Sequence, residues 1–195
     1  METTSQSQLL ALAREFYGRV TYTHKTHEKD RELWTGRAAR AKAANICLAG
    51  VTTAFAIGSA INPASKITLF VTCLFAGLNT AFVIYQLSFD PSGKSDEHRR
   101  VAKDLLTLRD QYLILIQEIL VSNVPTDRLL RSLETLCAET SLVYKYAPDS
   151  SARAYRLASK GLKRDQESTF SNDEIDRLLP DDLRRAAVRA PSAEV

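Results

Sequence analysis

Residues 43–65 carry no charged side chain, and after the single Lys66 residues 67–89 carry none either. Each run is 23 residues long, and about 20 residues of helix cross the hydrocarbon core of a bilayer. The link Asn62-Pro63-Ala64-Ser65-Lys66 suits a turn between helices and is too short for a domain. Residues 46–61, rich in Ala, Gly, Thr and Ser, would be a marginal span alone. The second run is stronger, with Leu69, Phe70, Val71, Leu74, Phe75, Leu78, Phe82, Val83 and Ile84. A helix of a soluble bundle carries charges along one face, and neither run does. The pattern predicts a two-span membrane hairpin.

The remaining segments read as helices. Leu9, Leu12, Phe16 and Val20 recur at spacings of three and four, which predicts a helix over 7–42 with no breaker before the first span. Asp90-Pro91-Ser92-Gly93 is a turn signal. After it Ser95 is the expected N-cap, with Asp96 and Glu97 in the first turn. Val101, Leu105, Leu108, Tyr112, Leu115 and Ile119 form one apolar stripe; Leu129, Leu133, Leu136, Thr140 and Val143 form another. Two such helices joined by the short segment 123–126 predict an antiparallel pair. Pro148 breaks the pattern, a further helix is expected over 152–163, and Ser171-Asn172-Asp173-Glu174 is a capping box opening a short helix that stops at Pro180. No segment alternates like a strand, so the fold class is all-α. The expected organisation is an N-terminal cytoplasmic helix (1–42), a two-transmembrane hairpin (43–89), a C-terminal cytoplasmic helical region (90–185) and a flexible tail (186–195).

Charge sets the expected orientation. Lys25, Lys29, Arg31, Arg37, Arg40 and Lys42 precede the first span, and Lys94, Arg99, Arg100, Lys103 and Arg109 follow the second. The connecting turn has only Lys66. Basic residues stay on the cytoplasmic side, which puts both termini in the cytoplasm and the protein in the inner membrane as a multi-pass protein. The net charge of +3 is too slight for a nucleic-acid binder. Cys47, Cys73 and Cys137 do not make a disulfide framework, and Glu2 to Gln6 lack the features of a cleavable signal peptide.

Chemistry is sparse. His24 and His27 share a helix face, a spacing zinc can use, but two ligands are not a site and His98 has no motif around it. A solvated polar face is the expectation, with no metal, cofactor or catalytic residue. Phosphate-binding loops, nucleophile elbows and paired CxxC motifs are missing from the sequence, so an enzyme is not expected.

The two spans are more informative. At 100° per residue, Gly50, Ala54 and Gly58 share a face of the first, and Cys73, Gly77 and Ala81 share a face of the second. Small residues let membrane helices approach closely, so these are expected to be the facing seams of the hairpin, with a contact between subunits as the rival. Asn45, Thr52 and Ser59 lie roughly opposite the first seam; Thr68, Thr72, Asn79 and Gln86 lie roughly opposite the second. An unpaired amide facing lipid near mid-span is costly, so the polar residues are expected to meet other subunits or line a wet pore, with Phe75 and Phe82 as its gate. The alternative is that the hydroxyls bond back to their own helices and Asn79 joins helices together.

The order of motifs resembles a known family. A helix carrying Tyr17, Tyr22, His24, His27 and Glu28 leads into the hairpin, and a helix with His98, Arg99, Ala102, Arg109 and Tyr112 follows it. Ala154-Tyr155-x-x-Ala158 comes next, then Thr169-Phe170-Ser171-Asn172-Asp173-Glu174-Ile175-Asp176-x-Leu178-Leu179-Pro180. From about residue 7 to 185 the chain is similar to the SLATT family, the two-transmembrane effector domains that accompany nucleotide-generating enzymes in bacterial conflict systems. The resemblance implies an oligomeric pore-forming effector, silent until an upstream sensor or nucleotide signal triggers it, whose pores depolarise the membrane and stop growth of an infected cell. A nucleotide-synthesising enzyme or a reverse transcriptase would fit as partner beside the lipid bilayer and identical subunits. The family offers no catalytic residues to carry over. A membrane-anchored scaffold that recruits a cytoplasmic partner without conducting is the alternative.

Overall fold

The computed structural model describes residues 2–121, 124–165 and 167. Five helices follow in order: α1 (Glu2–Ile61), α2 (Lys66–Phe89), α3 (Pro91–Val121), α4 (Thr126–Tyr146) and α5 (Ala152–Lys163). Among the described residues there is no strand, and the all-α class holds. The expected helix at 171–180 and the tail from 186 lie outside the described residues.

Helix α1 is the spine. Its 60 residues make a rod of about 90 Å at 1.5 Å per residue. Both α2 and α3 pack antiparallel along it, one after the other. Gln86 Nε2 donates to the Ala41 carbonyl (3.2 Å) on the α2 side, and Gln6 Nε2 donates to the Ile119 carbonyl (2.8 Å) near the far end of α3.

The break between α2 and α3 is one residue wide. Asp90 sits in the left-handed region (φ 34°) and its N–H bonds the Gln86 carbonyl, closing α2. Its carboxylate accepts the Gly93 N–H at 2.9 Å, and Pro91, which lacks an N–H to leave unsatisfied, takes the first position of α3. Asp90, not Ser95, therefore caps α3. Ser95 lies inside the helix, where its hydroxyl pairs with Thr35 Oγ1 at 2.8 Å and so ties α3 to α1. A side chain at position 93 would overlap the Asp90 carboxylate, which accounts for the glycine.

The hydrophobic core lies between α1, α3 and α4. The whole α3 stripe, Val101, Leu105, Leu108, Tyr112, Leu115 and Ile119, is buried, as are Leu129 and Leu133 of α4. Phe16 stacks on Tyr112 with ring centroids 5.9 Å apart, and the Tyr112 hydroxyl bonds Thr140 Oγ1 (3.1 Å) across to α4. One expected core position differs. Leu12 is exposed, and Ala13 is buried in its place, because a spine crossed closely by α3 accepts a methyl where an isobutyl group would not fit.

The hairpin has a different surface. Ile61, Ile67, Phe70 and Leu87 are each more than two-thirds exposed, and the apolar stretches of both helices have no protein over them. A soluble monomer rarely exposes so large an apolar belt. The belt is lipid-facing surface.

Candidate functional site

Within the hairpin the polar and small faces lie opposite to expectation. Asn45, Thr52 and Ser59 on α1 and Thr68, Thr72, Asn79 and Gln86 on α2 are all part-buried, and they face one another. Ser59 Oγ meets Thr72 Oγ1 at 3.3 Å across the pair, and Phe55 stacks on Phe75 with centroids 6.0 Å apart. Gly50, Ala54, Cys73, Gly77 and Ala81 are exposed, and only Gly58 is part-buried. Nothing lies within 4 Å of where a Cβ would stand at Gly50, Gly58 or Gly77. The small residues are therefore not the facing seams of one chain's hairpin; they line its outside. The physical reason is the medium. In lipid an exposed glycine costs little, whereas an exposed amide leaves polar atoms without partners.

The threonines satisfy themselves locally. Thr52 donates to the Leu48 carbonyl and Thr72 to the Thr68 carbonyl, each at 2.8 Å. The asparagines do not: Asn45 Oδ1 and Asn79 Oδ1 are buried with no hydrogen-bond partner. Two orphan acceptors in one short interface are costly, of order 1–3 kcal/mol each. Phe75 and Phe82, the expected gate, are part-buried on the same α2 face; Phe82 also stacks on Tyr85 at 6.4 Å.

A second polar cluster lies between the spine and the cytoplasmic helices. His24, His27 and His98, all the histidines of the chain, are buried together with Asp30. The expectation of a solvated face for His24 and His27 was wrong, because α3 and α5 cover it. His24 Nδ1 bonds the Ala102 carbonyl at 2.8 Å, and His27 Nδ1 meets His98 Nδ1 at 2.9 Å. Neutral imidazoles share that second bond when one carries its proton on Nδ1 and the other on Nε2. Burial pushes all three below the ordinary histidine value, and for His27, with His98 beside it, down to about 4.

Asp30 joins this layer to α5. Its carboxylate accepts the Ser151 N–H (2.8 Å) and the Ser151 hydroxyl (2.6 Å), while Ser151 Oγ caps α5 by accepting the Ala154 N–H at 3.1 Å. A buried carboxylate at a helix N-terminus also complements the helix dipole. Ala154, Ala158 and Gly161 give α5 a buried small face that packs on α1. Beyond α5, the Glu167 carboxylate accepts from Lys25 (2.7 Å) and lies 3.2 Å from Lys29. Burial opposes the charge on Lys25, but the bonds to Glu167 and Glu28 outweigh it and raise its pKa. Among the described residues no group of three or more His, Cys, Asp or Glu is placed to hold a metal ion.

Two apolar helices joined by a tight turn, packed through polar residues and continued by a cytoplasmic helical layer, make a two-span domain with intracellular-type helices attached. The family model described as "SMODS and SLOG-associating 2TM effector domain family 4" matches residues 9–174. The chain belongs to this SLATT family. No curated protein and no solved structure matches it. As a SLATT protein it is a two-transmembrane effector-domain protein of defence systems. The sequence motifs that carry the resemblance occupy the spine and α3: His24, His27 and His98 hold those helices to each other, a role that spacing in one helix could not reveal.

Proposed function

We propose that this SLATT protein is a non-enzymatic effector that oligomerises in the inner membrane, with both termini cytoplasmic, and opens a pore when triggered. The observation that carries the proposal is the polar seam enclosed in the hairpin, with the amide oxygens of Asn45 and Asn79 left unpaired. A seam that is polar, part-buried and incompletely bonded has less to lose by opening than an apolar one. Opened, it offers Asn45, Thr52, Ser59, Thr68, Thr72, Asn79 and Gln86 to water. Phe75, stacked on Phe55, and Phe82 are the apolar gate that keeps the silent state dry, since hydrophobic constrictions close by dewetting. The outward face of Gly50, Ala54, Gly58, Cys73, Gly77 and Ala81 is where neighbouring hairpins approach.

The trigger acts on the cytoplasmic layer, through an upstream sensor or a nucleotide signal supplied by a partner enzyme such as a nucleotide synthase or a reverse transcriptase. Because α1 runs unbroken from that layer into the membrane, a shift of α3 or α5 on the spine reaches the hairpin without crossing a flexible joint. Forced expression with membrane-impermeant dye, followed by planar-bilayer recording of the purified protein, tests the reading. Growth arrest, dye entry and current are expected. Growth arrest with neither dye entry nor current under any trigger refutes conduction and leaves the scaffold. For orientation, a cysteine at position 65 is expected to react with an impermeant thiol reagent from outside and one at position 95 is not; the reverse pattern refutes it.

A further inference from the structure

Where the hairpin meets the cytoplasmic layer, α1 and the end of α2 enclose a cavity of about 410 Å³, within the range of small-ligand sites (about 300–1,000 Å³). Trp34, Arg37, Arg40, Tyr85 and Phe89 line it, and its lining holds no carboxylate. The Arg37 guanidinium lies 4.3 Å from the Trp34 ring centre, and the Lys94 ammonium lies 4.7 Å from it and 5.1 Å from that of Phe89. None of Arg37, Arg40 and Lys94 has an ion-pair partner among the described residues. Arg40 uses its Nε on the Gly36 carbonyl (3.1 Å), which leaves its terminal nitrogens free to donate elsewhere.

We propose that this pocket binds the phosphate of an anionic phospholipid headgroup at the membrane boundary nearest the two termini. Three convergent cations without counter-ions match a phosphate diester, and arginine matches its geometry with two parallel donors. The aromatic floor fits the same place: Trp and Tyr sit at headgroup level, with their rings toward the chains and polar edges toward water. Tyr85 and Phe89 are the last aromatic residues of the second charge-free run and are about half exposed, so a lipid reaches the pocket laterally along its acyl chains. Basic pockets beside transmembrane helices are a recognised form of headgroup site. Occupied, the site would bridge α1, α2 and, through Lys94, α3. The proposal rests on membrane insertion of the hairpin and is independent of whether the hairpin conducts.

Trp34 is the only tryptophan in the chain, so its emission reports on this pocket alone. The full chain is reconstituted in phosphatidylcholine nanodiscs containing an increasing fraction of phosphatidylglycerol, and the Trp34 emission change gives the apparent affinity. Saturable binding is expected, weakened about tenfold in each of Arg37→Gln, Arg40→Gln and Lys94→Gln, the cost of one charge-assisted bond. Lys42→Gln, which removes a cation lining a different cavity at similar membrane depth, is expected to bind as the wild type does. Equal weakening by Lys42→Gln would show diffuse surface attraction and overturn the pocket. A response to phosphatidylglycerol no larger than to phosphatidylcholine would also overturn it, as would saturation by inorganic phosphate in detergent, which would mark a site for soluble anions. Failure of the protein to enter the nanodiscs would instead overturn the membrane reading itself.

Discussion

Acid is expected to release the cytoplasmic layer from the spine before it affects the carboxylates. His27 is 2% exposed and its pKa falls from 6.5 to about 4 through burial first and the neighbouring His98 second, with Asp30 opposing. The folded state therefore resists a proton that the unfolded chain accepts. Stability from this group is complete above pH 6.5 and is lost as pH falls from there towards about 4. A shift of about 2.5 units at 1.36 kcal/mol each is worth on the order of 3 kcal/mol. His24 and His98 are lowered by burial as well and steepen the same window. Once both His27 and His98 carry two ring protons, their shared bond has no acceptor. Glu28 and Glu167 belong to a lower window: the Lys25 bond outweighs burial at Glu28 and is the main cause at Glu167, and both are held below the ordinary carboxylate value. Native-state hydrogen exchange of α3 and α5 in nanodiscs, followed from about pH 7 to about pH 5, reads the effect as falling protection after correction for intrinsic exchange. Replacing both partners, His27→Leu with His98→Leu, removes the bond as a pair, which can be nearly neutral, and is expected to flatten the profile while leaving protection at neutral pH close to that of the wild type. Protection unchanged across the window in the wild type, or an unaltered slope in the double variant, refutes the reasoning.

Asp30→Ala leaves the Ser151 N–H without its partner; a loss of about 1.5–3 kcal/mol is expected, read as faster exchange over 152–163 with α4 unaffected. Gly77→Leu adds bulk on an outward face with open space around it, so one chain's hairpin is expected to form normally while assembly weakens by about 1–3 kcal/mol. Leu78→Phe, at an already exposed position, is the control, and equal cross-linked ladders from the two would remove the small-residue contact. Asn79→Leu deletes an orphan acceptor and is expected to stabilise the hairpin by about 1–2 kcal/mol while abolishing current; current retained per assembled channel would take Asn79 out of the pore wall. Phe82→Ala is expected to leak without a trigger in the same bilayer recordings, and a silent Phe82→Ala channel would remove the gate.

Much of the fold is legible along the chain. Two charge-free runs long enough to span a bilayer predict the hairpin, and the stripe from Val101 to Ile119 marks the buried face of α3 residue by residue. Ser151 and Pro148 bracket α5, which occupies the expected residues. The histidines carried a signal that went unread: Ala13, Phe16, Val20, His24, His27 and Arg31 continue one helical face at spacings of three and four. Polar residues in register with an apolar stripe belong under the same cover, and His24 and His27 do. That His98 would meet His27, and Ser151 meet Asp30, depends on helices 71 and 121 residues distant in sequence.

The sequence determined which residues share a helix face; only the tertiary structure decided what each face meets. In water the two questions have nearly one answer, because an apolar face is driven inward, and so α3 and α4 packed as their stripes foretold. In the hairpin they separate. Lipid and a neighbouring helix are both apolar, so hydrophobicity does not distinguish the inside of the pair from the outside. Hydrogen bonding does, and it turned Asn45, Ser59, Thr72 and Asn79 towards each other and left Gly50 and Gly77 facing out.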